Sequence, residues 1–194
     1  MTTTIIGPLD TTDSEFLEIL QNYQGPKKLE LIGNIVKGRK TSVYQAFVIS
    51  ELTHAIQTWN KTIPLANRGM VIISEFRLHT QDGIRGTDLG YAPHEIIQPL
   101  LPLPVFPTIP LPFIVEVVQF TRKGDKAKQK FIDAWIPNGC KYGLVFDSES
   151  RTYIKYTNNI WETHIEWQGE LNIPTCPGLS FNLQQMRQEY LQMF

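Results

Sequence analysis

Long apolar runs are missing from this chain of 194 residues. No stretch approaches the ~18 consecutive apolar residues of a membrane-spanning helix. The start, Met1-Thr2-Thr3-Thr4-Ile5-Ile6-Gly7-Pro8, has neither the basic region nor the apolar core of a secretory signal. The expectation is an intracellular, cytoplasmic protein with no membrane segment. Cysteine is scarce as well. Cys140 and Cys176 offer no disulfide framework and no metal-ligand spacing. The four histidines, His54, His79, His94 and His164, form no HxH or HxxxH pair. All six residues are therefore read as structural or surface residues, and no zinc site is expected. Net charge is nearly absent, at -1. That speaks against a general nucleic-acid coat protein but leaves room for a local basic groove.

The charge that is present is unevenly placed. Phe113-Ile114-Val115-Glu116-Val117-Val118-Gln119 is a run of β-branched and apolar residues, which reads as a strand buried on both faces. One carboxylate, Glu116, sits in its middle. A buried acid is costly unless it is paired or metal-bound, or reaches solvent at the strand end. Just beyond it, Arg122, Lys123, Lys126, Lys128 and Lys130 stand against a single acid, Asp125, for a local charge of +4. A cationic segment beside a strand carboxylate suits a phosphate-bearing ligand; taken singly, each lysine also suits a solvated helix face.

The rest of the chain supplies a scaffold of both periodicities. Asp13 or Ser14 is placed to cap a short helix through Tyr23 that Gly25-Pro26 stops. Residues 29–36 read as a strand or hairpin. Thr41 or Ser42 caps a long amphipathic helix to about Trp59. Residues 70–78 read as a strand, Gln81-Asp82-Gly83 as a hairpin turn, and residues 84–92 as its partner strand. Seven of the 13 prolines fall in residues 93–112, interleaved with Leu, Val, Ile and Phe. Proline denies ladder hydrogen bonds, so this is a loop or polyproline-like arm. Its apolar side chains pack on its own core, across a dimer axis, or against a proline-recognition module. Three strands near residues 142–146, 152–156 and 161–167 form a meander, and a terminal helix follows a loop over residues 174–181. No linker or repeat divides the chain, so one domain spans residues 1–194, with its core in residues 28–185.

Ile114-Val115-Glu116-Val117 after a Pro-rich lead, a lysine-bearing helix, Asn138-Gly139, and Tyr142-Gly143-Leu144-Val145-Phe146-Asp147 resemble the restriction endonuclease family common in cyanobacteria. That family belongs to the PD-(D/E)xK nuclease superfamily. The resemblance covers about residues 28–185 and implies an α/β, restriction-endonuclease-like fold: a central mixed β-sheet flanked by helices. It implies a metal-dependent endonuclease on nucleic acid, DNA foremost; the homodimer is expected separately, from the apolar content of the Pro-rich arm. Asp88 and Glu116 match the family's acids and, with the Val117 carbonyl, would hold Mg²⁺ or Mn²⁺, oxygen ligands being what these hard cations take. The superfamily's cation often stands two residues after the strand acid, where this chain has Val118. A helix lysine is then expected to substitute: periodicity alone does not separate Lys128 from Lys130, and spacing from Glu116 favours Lys130 as catalytic, with Lys128 auxiliary. Glu30 falls on another family glutamate, and Gln119 replaces the family's serine; both are possible auxiliary residues. The family's Pro before the acid is Thr87 here. These departures keep two other classes open: an inactive nuclease fold that binds nucleic acid or protein, and an interaction protein organised by the Pro-rich arm.

Overall fold

The computed structural model describes residues 4–7, 10–25, 27–73, 76–119 and 124–194. Thr12 opens the first helix, α1 (Asp13–Asn22), through a capping box: its hydroxyl accepts from the Glu15 amide and Glu15 reaches back to the Thr12 amide. The expected caps, Asp13 and Ser14, are instead inside the helix, because the Thr-x-x-Glu spacing begins at Thr12. The hairpin expected over residues 29–36 forms as β2 (Lys28–Ile32) and β3 (Ile35–Arg39), and the short β1 (Thr4–Ile5) pairs with β3. Ser42 caps α2 (Val43–Thr62), again by a capping box, with Gln45.

Two expected strands each divide. Residues 70–78 become β4 (Met70–Ile73) and β5 (Leu78–Thr80), and the Phe76 amide donates to the Ile73 carbonyl at 2.9 Å. Ser74 and Glu75 lie outside the described residues. Residues 84–92 become β6 (Gly83–Arg85) and β7 (Leu89–Ala92). In each case the halves belong to different sheets, and hydrophobic periodicity does not register where a chain leaves one sheet for another. One sheet has the order β1-β3-β2-β6-β5. The other has the order β11-β10-β9-β8-β7-β4, from β8 (Phe113–Val118), β9 (Tyr142–Asp147), β10 (Thr152–Thr157) and β11 (Ile160–Glu166). Only β8 and β9 pair in parallel in that mixed sheet, and α4 (Gly124–Lys130) lies in the connection between them. The loop expected over residues 174–181 contains a strand, β13 (Ser180–Asn182), paired with β12 (Glu170–Asn172) ahead of α5 (Leu183–Met193).

Strand β8 is covered on both faces. Val115 and Val117 pack with Val48, Leu52 and Ile56 of α2 and with the α5 region. Ile114 and Val118 pack with Ala127, Phe131, Ala134 and Trp135. Period-two alternation therefore aims Glu116 at the side where α4 lies. A third core joins Phe16 of α1 to Leu29, Leu31, Val36 and Ile84 of the other sheet.

The Pro-rich segment is less of an arm than its composition suggests. It begins with a short helix, α3 (His94–Ile97), and Ile109 and Leu111 are fully buried. Leu103 and Phe106 pack on two of the cores, while Leu100, Leu101 and Val105 remain exposed. Among the described residues no helix is long and apolar enough to cross a membrane.

Gly143 of β9 makes room for the ring of Phe131, the residue that follows α4. A Cβ there would stand 2.3 Å from a ring carbon of Phe131, which is fully buried. Gly143→Ala is expected to destabilise the protein by about 1–3 kcal/mol, the scale of overpacking in a closed core. Urea unfolding of the variant beside the wild type measures it.

Candidate active site

The chain passes from one sheet to the other at residues 86–88, and the site gathers at that crossing. Leu89 is the last β7 residue paired with β8, opposite Val115. Beyond it the strands diverge, and side chains take over the open edge of β8. Asp88 Oδ2 accepts the Val117 amide at 2.8 Å. Gln45 Nε2 donates to the Val117 carbonyl at 2.6 Å, while its Oε1 accepts the Ser42 amide at 3.0 Å. The Thr87 hydroxyl donates to the Val115 carbonyl at 3.1 Å. The backbone flanking Glu116 is thus fixed from both the Asp88 and the α2 side.

Lys130 enters from the end of α4. Its ammonium lies 2.8 Å from Glu30 Oε1, 2.8 Å from the Gly86 carbonyl and 3.0 Å from Glu116 Oε1. Three protons therefore meet three acceptors, two of them carboxylates from different sheets. After Lys130 the helix widens into a π turn over Phe131–Trp135, with the Ile136 amide donating to the Phe131 carbonyl. π turns are often found at functional sites. This one presents the Trp135 indole, whose Nε1 donates to Glu116 Oε1 at 3.0 Å, and whose ring lies 5.3 Å from the Lys130 ammonium.

The remaining acids are paired too. Lys28 Nζ donates to the Thr87 carbonyl at 2.7 Å and stands 3.3 Å from Asp88 Oδ1. Glu30 accepts the Gly86 amide at 3.1 Å and faces Arg85 at 3.5 Å. Arg85 also holds Asp82. Burial works to raise the Asp82 pKa, but hydrogen bonds and charge from Arg85 prevail and hold it below the ordinary value. Burial works to lower the Arg85 pKa; Asp82, Glu30 and Glu116 outweigh it and raise it, so the guanidinium is a fixed charge in the site. These groups flank a pocket of about 620 Å³ whose lining includes Glu30, Gln45, Arg85, Glu116 and Lys130.

Of the residues the sequence singled out, Glu30, Glu116 and Lys130 meet directly, and Asp88 and Val117 adjoin them through one hydrogen bond. Lys128 turns elsewhere: its ammonium lies 5.7 Å from the Trp161 ring. Gln119, half-buried past the end of β8, is not part of the pocket lining. Asp147, the closing acid of β9, accepts the Glu149 amide at 2.9 Å and so caps a turn. Arg122 and Lys123 of the cationic segment lie outside the described residues. Both cysteines are buried, in different cores, and burial pushes each thiol up to about 12. Gln45, Lys28, Arg85 and Trp135 were not identified from sequence. For Gln45 a signal existed: Ser42-x-x-Gln45 is a capping box, and its glutamine proves to serve both the helix end and the strand edge.

The oxygen set of Asp88, Glu116 and the Val117 carbonyl suits a hard divalent cation in type. Each of these oxygen groups here takes hydrogen bonds or charge from nitrogen groups, and among the described residues no three His, Cys, Asp or Glu side chains cluster as a metal site. A cation held here would rest on two acids, a carbonyl and water.

No protein-family model matches the chain, and no curated protein matches it. The solved structures do give a match. The chain is similar to the crystal structure of a putative nuclease belonging to DUF820 from Anabaena variabilis, with a TM-score of 0.67 over 89% of this chain and 97% of that one, at 17% identity. The likeness is one of fold: a mixed α/β protein with a central mixed sheet and flanking helices.

Removing Lys130 would leave two largely buried carboxylates short of their shared cation. Lys130→Ala is expected to cost about 3–5 kcal/mol, the scale for breaking a buried ion pair by deleting one partner. Lys128→Ala, which loses a cation–π contact at the surface, should cost about 0.5–1 kcal/mol. Adding Glu116→Gln to Lys130→Ala should recover part of the loss. Urea unfolding of the single and double variants supplies the comparison.

Proposed function

We propose that this chain is a metal-dependent endonuclease of the restriction-endonuclease-like type, hydrolysing phosphodiester bonds of nucleic acid, DNA foremost, in the cytoplasm. The observation that carries the reading is the approach of Lys130 from α4 to the buried strand acid Glu116, with Asp88 at the adjoining strand fork. A strand acid, a fork acid and a lysine are the parts the sequence resemblance requires, and the fold likeness to a putative nuclease supports them. In this reading Asp88, Glu116 and the Val117 carbonyl hold Mg²⁺ or Mn²⁺. Such an ion lowers the pKa of bound water and offsets charge on a phosphoryl oxygen. Lys130 directs its ammonium toward the oxygen on which charge develops, and Glu30 and the Gly86 carbonyl keep it oriented there. Asp88 and Gln45 keep the Glu116 backbone from shifting.

A second reading, an inactive nuclease fold serving as a binding module, draws on the pairing of Lys28 with Asp88 and of Lys130 with Glu116, which already balances both acids. Cleavage separates the two readings. The wild type with Mg²⁺ or Mn²⁺ should cut plasmid or single-stranded DNA and stop in EDTA. Glu116→Gln, which preserves shape while removing charge, should lower the rate by ~10²-fold or more and abolish Mn²⁺ binding in calorimetry. Undiminished cleavage by Glu116→Gln would refute the assignment; a wild type that binds metal but cuts no nucleic acid would establish the binding module.

The reading extends to assembly. Leu100, Leu101 and Val105 stay exposed on the Pro-rich segment, and a homodimer joined there would bring two sites to one nucleic acid. Light scattering at micromolar concentration should give twice the monomer mass, and Leu101→Glu with Val105→Glu should halve it. A wild type that scatters as a monomer removes the dimer.

A further inference from the structure

The pocket beside Glu116 has a lip as well as a floor. Pairing of β1 with β3 sets Ile5 opposite Lys37, and pairing of β3 with β2 sets Lys37 opposite Glu30. Pairing of β2 with β6 sets Leu31 opposite Ile84, so one residue back along β2 the row continues from Glu30 to Arg85. Ile5, Lys37, Glu30 and Arg85 thus form one rank across four strands. All four line the pocket. Exposure falls along the rank: Ile5 is 58% exposed, Lys37 half-buried, and Glu30 and Arg85 are buried at 8% and 7%. Lys126 of α4 is exposed and lines the same pocket. Among the described residues neither Lys37 nor Lys126 has an ion-pair partner, whereas Lys130 and Arg85 deeper in the pocket are both paired.

We infer that this rank is the path of a single unpaired nucleic-acid strand. The inference rests on the nuclease reading above and specifies its substrate. Glu116 is 2% exposed, so a phosphodiester reaches it only by being lowered into the pocket. Within a duplex the backbone is held by the stacked base pairs, whereas the backbone of an unpaired strand tracks a charged groove freely and can dip into a recess. A volume of about 620 Å³ is of the size that encloses a small ligand such as one nucleotide. The order of chemistry along the rank fits that ligand: an apolar lip at Ile5 for a base face, uncommitted ammonium groups at Lys37 and Lys126 for phosphates, and the acid–lysine floor for the bond to be cut. Apolar and cationic groups in sequence are how single strands are held without base-specific readout.

Binding measured in EDTA keeps recognition apart from cleavage. Fluorescence anisotropy would compare labelled dT12, rU12 and a 12-base-pair hairpin, the first two distinguishing DNA from RNA as the source of the strand. At least one single strand should bind ten times more tightly than the hairpin. Lys37→Gln with Lys126→Gln should flatten the slope of log affinity against log salt by roughly 1.4, two phosphate contacts at ~0.7 each for a single strand. Ile5→Ser should weaken binding severalfold with no change in that slope. A hairpin that binds as well as the tighter of the two single strands, or an unchanged salt slope in the lysine variant with its melting temperature intact, overturns the inference. A protein that grips the single strand and never cuts it with metal present upholds the strand path and overturns the hydrolytic reading instead.

Discussion

Everything in the site turns on one ammonium group. Lys130 Nζ touches Glu30 of β2, the Gly86 carbonyl at the crossing, and Glu116 of β8, all within 3.0 Å. Those three acceptors belong to two sheets and to the segment joining them, so the lysine is a fastening between layers as well as a charge. A buried ion pair of this kind adds little net stability over an apolar substitute, since desolvation offsets its attraction. What it does supply is position. The carboxylates have few alternatives to this cation in so buried a place, and their geometry fixes how α4 meets the central sheet.

Pairing also hides the charge of the site. Asp88, Glu30, Glu116 and Asp82 are set against Lys28, Lys130 and Arg85 within one network. Burying these acids unpaired would be prohibitive, so within the site acids and cations stand at nearly equal number. A composition that looks uninformative about nucleic acid is therefore compatible with a strongly charged interior, because the charges cancel where they are buried and show only at the rim, as Lys37 and Lys126.

The elements that could be read from the sequence were those with a local cause. The β-branched run of β8, the meander of β9 to β11 and the α2 helix each carry their own periodicity, and Glu116 stood out because an acid interrupts an apolar run. Lys130 over Lys128 could not come from helical periodicity, which left both beside the apolar stripe; the structure separates them, because the helix end turns Lys130 toward the sheets and Lys128 toward Trp161. Unreadable were the features decided by partners far along the chain. Residues 70–78 and 84–92 each divide between sheets, and no local pattern marks the division. Lys28 and Arg85 look like surface charges on short strands until the crossing at residues 86–88 brings Asp88 and Glu30 to them. Gln45 serves a strand 72 positions away.

The crossing itself is the reason the site can exist where it does. Had β7 continued alongside β8 past Leu89, the Val117 amide and carbonyl would be taken up by a neighbouring strand and Glu116 would face a closed core. The chain instead leaves at residues 86–88, so side chains from Asp88 and Gln45 satisfy those groups, and the gap they bound opens into the pocket. Lys130 then need not leave if Glu116 turns to another cation: Glu30 and the Gly86 carbonyl still take two of its protons at 2.8 Å. A lysine held by two further acceptors, one on β2 and one at the crossing, is positioned by the joined sheets and not by Glu116 alone.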